Sequence, residues 1–210
     1  MKNNFNFIAP VYDALAKLVF GNKLKRAQCH FLHLISQDSN VLILGGGTGW
    51  LLDEIFKTGF RGSVTYVEAS TKMIKMTEKR LQPSWNVSLI CGDEKAIPKE
   101  FYDVIITNFF LDVFSSDKLK DIMATLSDRL SHRGLWFCTD FRHTNRLKHK
   151  LIIWSMLQFF RLTTQLEAGQ LLDFAFYFKA LPLHCIEHST FSNGLIFSSV
   201  YQKQPSEQEF

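Results

Sequence analysis

Apolar positions along this chain alternate between two spacings. The runs V-L-I-L at 41–44 and V-I-I-T at 104–107 are short and uninterrupted, as suits strands buried on both faces of a parallel sheet. The β-rich runs 63–68 and 86–91 add two more strands, and 135–141, after Gly134, adds a fifth. Between them the pattern turns helical. Helices are expected at 50–57, at 71–81 and at 116–130, where Leu119, Ile122, Met123, Leu126 and Leu130 share one side. Ahead of the first strand, Val11, Leu15, Leu18 and Val19 recur near a 3.6-residue period, Gly21 and Asn22 interrupt them, and 24–35 reads as a second helix. After the fifth strand come helical stretches at 151–160 and 171–181. The runs 184–191 and 195–202, joined by Asn193-Gly194, then predict a hairpin.

The break between the first strand and its helix carries the chemistry. Gly45, Gly46 and Gly47 let the chain leave the strand through unusual dihedrals and leave no Cβ against a ligand. Thr48 and Gly49 then lead into a helix whose first N–H groups face the same place. A dinucleotide loop spaces its glycines G-x-G-x-x-G around a pyrophosphate. Here Gly45, Gly47 and Gly49 follow G-x-G-x-G, and Trp50 stands where the third dinucleotide glycine would be. An indole there argues against a pyrophosphate. Glu68 ends the second strand about 20 residues beyond the loop, where an acceptor for the two hydroxyls of a ribose belongs.

With these residues the sequence resembles the class I S-adenosyl-L-methionine (SAM)-dependent methyltransferases, whose first motif reads V-L-D-x-G-x-G-x-G. The string I-A-P-x-Y-D is similar to the helical cap of the ubiquinone and menaquinone C-methyltransferases, which implies that Tyr12 lies over SAM. Glu68-x-Ser70-x-x-Met73 resembles the second motif; it implies that Glu68 and Ala69 line the ribose side and that Met73 covers the adenine, while Ser70 caps the helix. The resemblance further implies that Asp93 accepts from the adenine amino group and that the Glu94 N–H meets a ring nitrogen. Asn108 and Phe109 would complete the cofactor side, where Phe109 or Phe110 could supply the aromatic face that suits a sulfonium cation. Phe110, Asp112, Asp140, Arg142 and His143 would form the substrate pocket, with Asp112, Asp140 and His143 as candidate bases. One position departs from the family: Ile43 replaces the acidic residue of the first motif.

The resemblance implies a Rossmann-like α/β fold. Its seven-stranded, mostly parallel sheet would end in an antiparallel hairpin, with helices on both faces and an N-terminal helical cap. The whole of 1–210 would be one domain, with the cap at 1–36 and a helical segment over the substrate side at 142–181. The implied function is methyl transfer from SAM to a small apolar or aromatic acceptor by in-line displacement. Two alternatives stay open, a SAM-binding module without catalysis and an aminopropyltransferase-like enzyme, which shares a G-G-G-x-G loop.

Composition narrows the partners. With 210 residues, 46% of them hydrophobic, the chain can build one sizeable core. Its net charge of +4 is too mild to demand nucleic acid. Cys29, Cys91, Cys138 and Cys185 are widely spaced, so reduced thiols are expected rather than disulfides or a metal site. Polar Asn3, Asn4 and Asn6 with Pro10 leave no signal-peptide core, and a cytoplasmic location is expected. The apolar stretch at 151–160 is too short to span a bilayer. With Lys148, Lys150 and Arg161 around it, a buried helix, a roof over an apolar pocket and a peripheral membrane contact all fit.

Overall fold

A computed structural model describes residues 19–164 and 171–204; Tyr12, most of the expected cap and the middle of 142–181 lie outside them. Seven strands form one sheet in the order β3-β2-β1-β4-β5-β7-β6. These are β1 (Asn40–Leu44), β2 (Ser63–Glu68), β3 (Asn86–Cys91), β4 (Tyr102–Asn108), β5 (Leu130–Phe141), β6 (Leu183–Phe191) and β7 (Ile196–Lys203). Neighbours from β3 across to β5 run parallel, whereas β7 is antiparallel to both β5 and β6. The helices are α1 (Lys23–Cys29), α2 (Trp50–Lys57), α3 (Thr71–Glu78), α4 (Ser116–Arg129), α5 (Leu147–Thr164) and α6 (Phe174–Lys179).

Alternation along each strand divides the core between the two faces. Val41, Ile43, Val104 and Ile106 pack with Leu51, Leu52 and Ile55 of α2 and with Phe31 and Leu32. Leu42, Leu44 and Ile105 point the other way, onto Leu119, Ile122, Met123 and Leu126 of α4 and Phe174 and Phe178 of α6. Because both faces are covered, the central strands are apolar at nearly every position. That is the origin of the uninterrupted runs in the sequence.

Four elements differ from the sequence pattern. The second N-terminal helix ends at Cys29, and Leu32–Leu34 form a separate 3₁₀ turn. β5 begins at Leu130, ahead of Gly134: Tyr102 pairs with Leu130 and Val104 with Leu135, so the intervening residues bulge out, with Arg133 at φ +57°. α5 is longer than its apolar stretch, and α6 is shorter than 171–181. The hairpin turn follows the expected chemistry, with Ser192, Asn193 and Gly194 all at positive φ.

Candidate active site

The sheet order reverses between β1 and β4, and the carboxyl ends of these strands open the crevice where ligands of doubly wound sheets collect. The glycine loop leaves β1 there. Gly45, Gly47 and Gly49 have φ of +61°, +68° and +79°, a left-handed conformation that other residues adopt only with strain. A Cβ on Gly46 would lie 2.3 Å from the ring of buried Tyr66, whereas one on Gly47 would meet nothing within 4 Å. The loop is therefore jammed against β2 on one side and open on the other.

Glu68 holds the loop from below. One carboxylate oxygen accepts the Gly47 N–H at 3.0 Å and the other accepts the Ser70 N–H at 2.7 Å. The residue is only 6% exposed, and burial raises its pKa while the N–H groups of Ser70, Gly47 and Ala69 act against the rise. With three N–H groups on about four acceptor sites, the carboxylate keeps one site for a hydroxyl donor. Further braces were not evident in the sequence. The hydroxyls of Tyr66 and Thr77 donate to the Gly47 carbonyl at 3.0 and 3.2 Å, and Arg80 Nε donates to the Thr48 carbonyl at 2.8 Å while its guanidinium pairs with Asp53 at 2.8 Å. Tyr66 lies two residues before Glu68, hence on the same face of β2, which was the available signal. Trp50 turns toward α1, with Lys25 Nζ 4.7 Å from the centre of its ring.

The adenine-side residues take capping positions. Ser70 Oγ accepts from the Met73 N–H at 3.2 Å at the start of α3, and Met73 is buried. Asp93 caps the following 3₁₀ turn through the Lys95 N–H at 3.0 Å, which leaves its second oxygen for other donors. The Gly92 N–H donates to the Glu68 carbonyl at 3.1 Å, joining the ends of β2 and β3. Glu94 pairs with Lys118 at 3.0 Å.

At the end of β4 the two phenylalanines, either of which could supply the aromatic wall, point to different places. Phe110 covers the glycine loop: a Cβ on Gly45 would lie 2.6 Å from its ring. Phe109, at φ +51°, turns away and packs on Phe141 at 4.8 Å, and Phe20 meets Phe141 at 5.4 Å. Phe110 thus stands on the cofactor side and Phe109 beside the expected pocket. Both amide atoms of Asn108 are buried without a hydrogen-bond partner among the described residues. Leaving such an amide unpaired costs about 1–3 kcal/mol per group.

Asp112 and Asp140 form a carboxyl pair that the sequence did not reveal as a pair. Asp140 is fully buried; one oxygen accepts the Phe141 N–H at 2.8 Å and the other has no partner among the described residues. Burial, and then the neighbouring Asp112, push its pKa well above the ordinary aspartate range. Burial also pushes Asp112 up, to about 6. Arg142 is placed elsewhere than expected: its Nε donates to the Gly194 carbonyl at 2.8 Å, tying β5 to the hairpin turn. His143 Nε2 lies 2.8 Å from the Leu171 carbonyl, linking the strand exit to the residues before α6. Ile43 is buried in the apolar core and supplies nothing polar. Among the described residues no cluster of potential metal ligands occurs, and the four cysteines are free.

A nucleoside-bearing sulfonium fits this set. An open cradle at Gly47, a buried carboxylate under it, an aromatic ring above Gly45 and an unpaired amide beside it are together what such a group needs. Residues 41–134 match a family model described as a methyltransferase domain. Among curated proteins, the malonyl-[acyl-carrier protein] O-methyltransferase of Priestia megaterium is 32% identical over 124 residues, covering 55% of this chain and 42% of that protein. Its namesake from Halalkalibacterium halodurans is 26% identical over 155 residues, covering 67% of this chain and 54% of that protein. The chain spans about half the length of these relatives. Among solved structures, a chain from a Haloferax volcanii complex with a methyltransferase activator superposes with a TM-score of 0.74 at 12% identity, covering 98% of this chain and 100% of that one. The N-methyltransferase NodS from Bradyrhizobium japonicum, solved with S-adenosyl-L-homocysteine, gives 0.66 at 13% identity, with 86% of each chain covered. At such identities the structures speak for the fold alone.

Proposed function

We propose that the chain is a class I SAM-dependent methyltransferase that methylates a small acceptor with an apolar or aromatic body, a reading supported by the methyltransferase-domain match over residues 41–134. The observation that carries this reading is the Glu68 carboxylate clasping an otherwise open glycine loop at the switch in strand order. Bound there, SAM supplies a methyl group made electrophilic by its sulfonium. Glu68 accepts from a ribose hydroxyl, beside Ala69, while Met73, Asp93 and the Glu94 N–H receive the base. Gly45, Gly46, Gly47, Thr48 and Gly49 give the close backbone approach. Asn108, whose amide atoms have no partner among the described residues, serves the amino-acid end in place of the acid that Ile43 replaces. Tyr12 remains the candidate lid.

On the acceptor side, Phe109, Phe141 and Phe20 offer an apolar wall and exclude water. Holding donor and nucleophile in line is worth about 7–11 kcal/mol, which makes alignment the main contribution of the protein. Where the acceptor must lose a proton, Asp112 is the better base: at about 6 its pKa leaves it ionised at neutral pH, whereas burial and Asp112 itself work against the charged form of Asp140. The exposed Arg142 clamps the hairpin, and His143 positions the segment before α6.

A second reading follows from the relatives, whose printed name gives them a carrier-bound malonyl acceptor. In it the methyl group goes to a carboxylate oxygen, and the buried Asn108 amide would receive that carboxylate. The match to the methyltransferase family favours methyl transfer over aminopropyl transfer. Calorimetry with SAM and S-adenosylhomocysteine, followed by methyl release over phenols, quinols, amines and acyl-thioester acids, tests the scheme. Binding without turnover of any acceptor leaves the non-catalytic module; no binding ends the proposal.

A further inference from the structure

α5 is apolar on two opposite sides, and only one of them is covered. His149 and Ile153 face inward; Ile153 joins the core, Ile152 and Met156 pack against it, and His149 Nδ1 lies 2.7 Å from Thr144 Oγ1. That contact fixes the rotation of the first turns. At 100° per residue, Leu147, Leu151 and Trp154 then fall within about 60° of arc on the far side. They are 82%, 65% and 59% exposed. A solvent-facing helix ordinarily presents charge there.

The charges lie beside the stripe. On the same wheel Lys150 stands about 60° to one side of Leu147 and Lys148 about 100° to the other. Both lysines and Arg146 are exposed. Between 141 and 165 the sequence has five Lys or Arg residues and no Asp or Glu. An apolar stripe holding a tryptophan, with lysines on both flanks and no acid nearby, is suited to the boundary between lipid headgroups and acyl chains. Among the described residues no helix is long and apolar enough to cross a membrane, so the contact would lie in the plane of the surface. The helix starts six residues after Phe141, where β5 ends at the candidate pocket, so the pocket side of the sheet would face the lipid.

The geometry points to α5 as a docking face for an anionic bilayer surface, with Leu147, Leu151 and Trp154 entering the interface and Lys148 and Lys150 meeting lipid phosphates. A lipid surface fits better than an acidic protein because the three exposed apolar side chains, one of them a tryptophan, run in one line between the lysines, as the boundary between acyl chains and headgroups asks. This inference stands apart from the methyl-transfer reading, since it requires no cofactor.

The test is sedimentation of the full chain with vesicles of phosphatidylcholine alone or with phosphatidylglycerol, without SAM. Binding is expected only to the anionic vesicles and is expected to weaken with salt. Lys148→Gln and Lys150→Gln should each lower the partition coefficient about fivefold, and Leu151→Ser and Trp154→Ser each roughly tenfold. All four positions are exposed, so unchanged circular dichroism and melting are expected to accompany the loss. Brominated lipid should quench the wild type more than Trp154→Phe. Equal binding to neutral vesicles, no binding to either, or binding that survives these substitutions would overturn the proposal. So would a vesicle-blind chain whose self-association, or capture by an acidic carrier protein, is lost in the same variants.

Discussion

Replacing Glu68 with glutamine asks whether one carboxylate both shapes the glycine loop and serves the cofactor. The two oxygens accept from Gly47 at 3.0 Å and Ser70 at 2.7 Å. Glutamine has one oxygen, so one of these N–H groups would face an amide NH₂, at a cost of about 1–3 kcal/mol in loop order. Toward the ribose, exchanging charge-assisted hydrogen bonds for neutral ones loses about 1–2 kcal/mol per hydroxyl. For one hydroxyl this predicts SAM binding weaker by about 5- to 30-fold. Titration calorimetry reads it directly, with thermal melting to establish that the variant is folded. A pH series adds an independent readout. Burial raises the Glu68 pKa, so wild-type affinity is present above that pKa and lost as pH falls through it, whereas Glu68→Gln should be flat across the same range. A folded Glu68→Gln protein binding SAM within about threefold of wild type, with an unchanged pH profile, would refute the assignment.

Four further outcomes are expected. Gly46→Ala should lower both the melting temperature and SAM affinity, because its Cβ would lie 2.3 Å from the buried Tyr66 ring; an unchanged melt would show that the loop yields freely. Asn108→Leu should stabilise the cofactor-free protein while weakening SAM binding, since it removes an unpaired buried amide; differential scanning calorimetry with and without SAM separates the two effects. For Asp112 the raised pKa means that the folded chain holds the proton more tightly than the unfolded one. Its stability is therefore greatest at low pH and falls as pH rises from the ordinary aspartate range through about 6, so Asp112→Asn should gain up to about 3 kcal/mol at pH 8 relative to pH 4 in urea melts. Equal gains at both pH values would contradict the burial argument. Arg142→Ala should cost about 1 kcal/mol or less and leave acceptor KM unchanged, because its exposed guanidinium holds the Gly194 carbonyl at the hairpin turn.

The sequence by itself determined the strands, their order along the chain and the site of the loop. Those features are local: an apolar run such as V-L-I-L, a triple glycine and an Asn-Gly turn act through the residues beside them. The acid at the end of β2 was legible for the same reason, its distance from the loop being fixed by one helix and one strand. Only the tertiary structure decided what depends on side chains from different elements meeting. It made Phe110, in place of Phe109, the cover of Gly45, since the positive φ of Phe109 swings that ring onto β5. It turned Asp140 inward toward Asp112, and Arg142 outward to a turn some 50 residues later. Neither direction is written in a one-dimensional pattern: a side chain at a strand end follows the neighbours that assemble around it, and those neighbours are set by how β5 packs against β4 and β7.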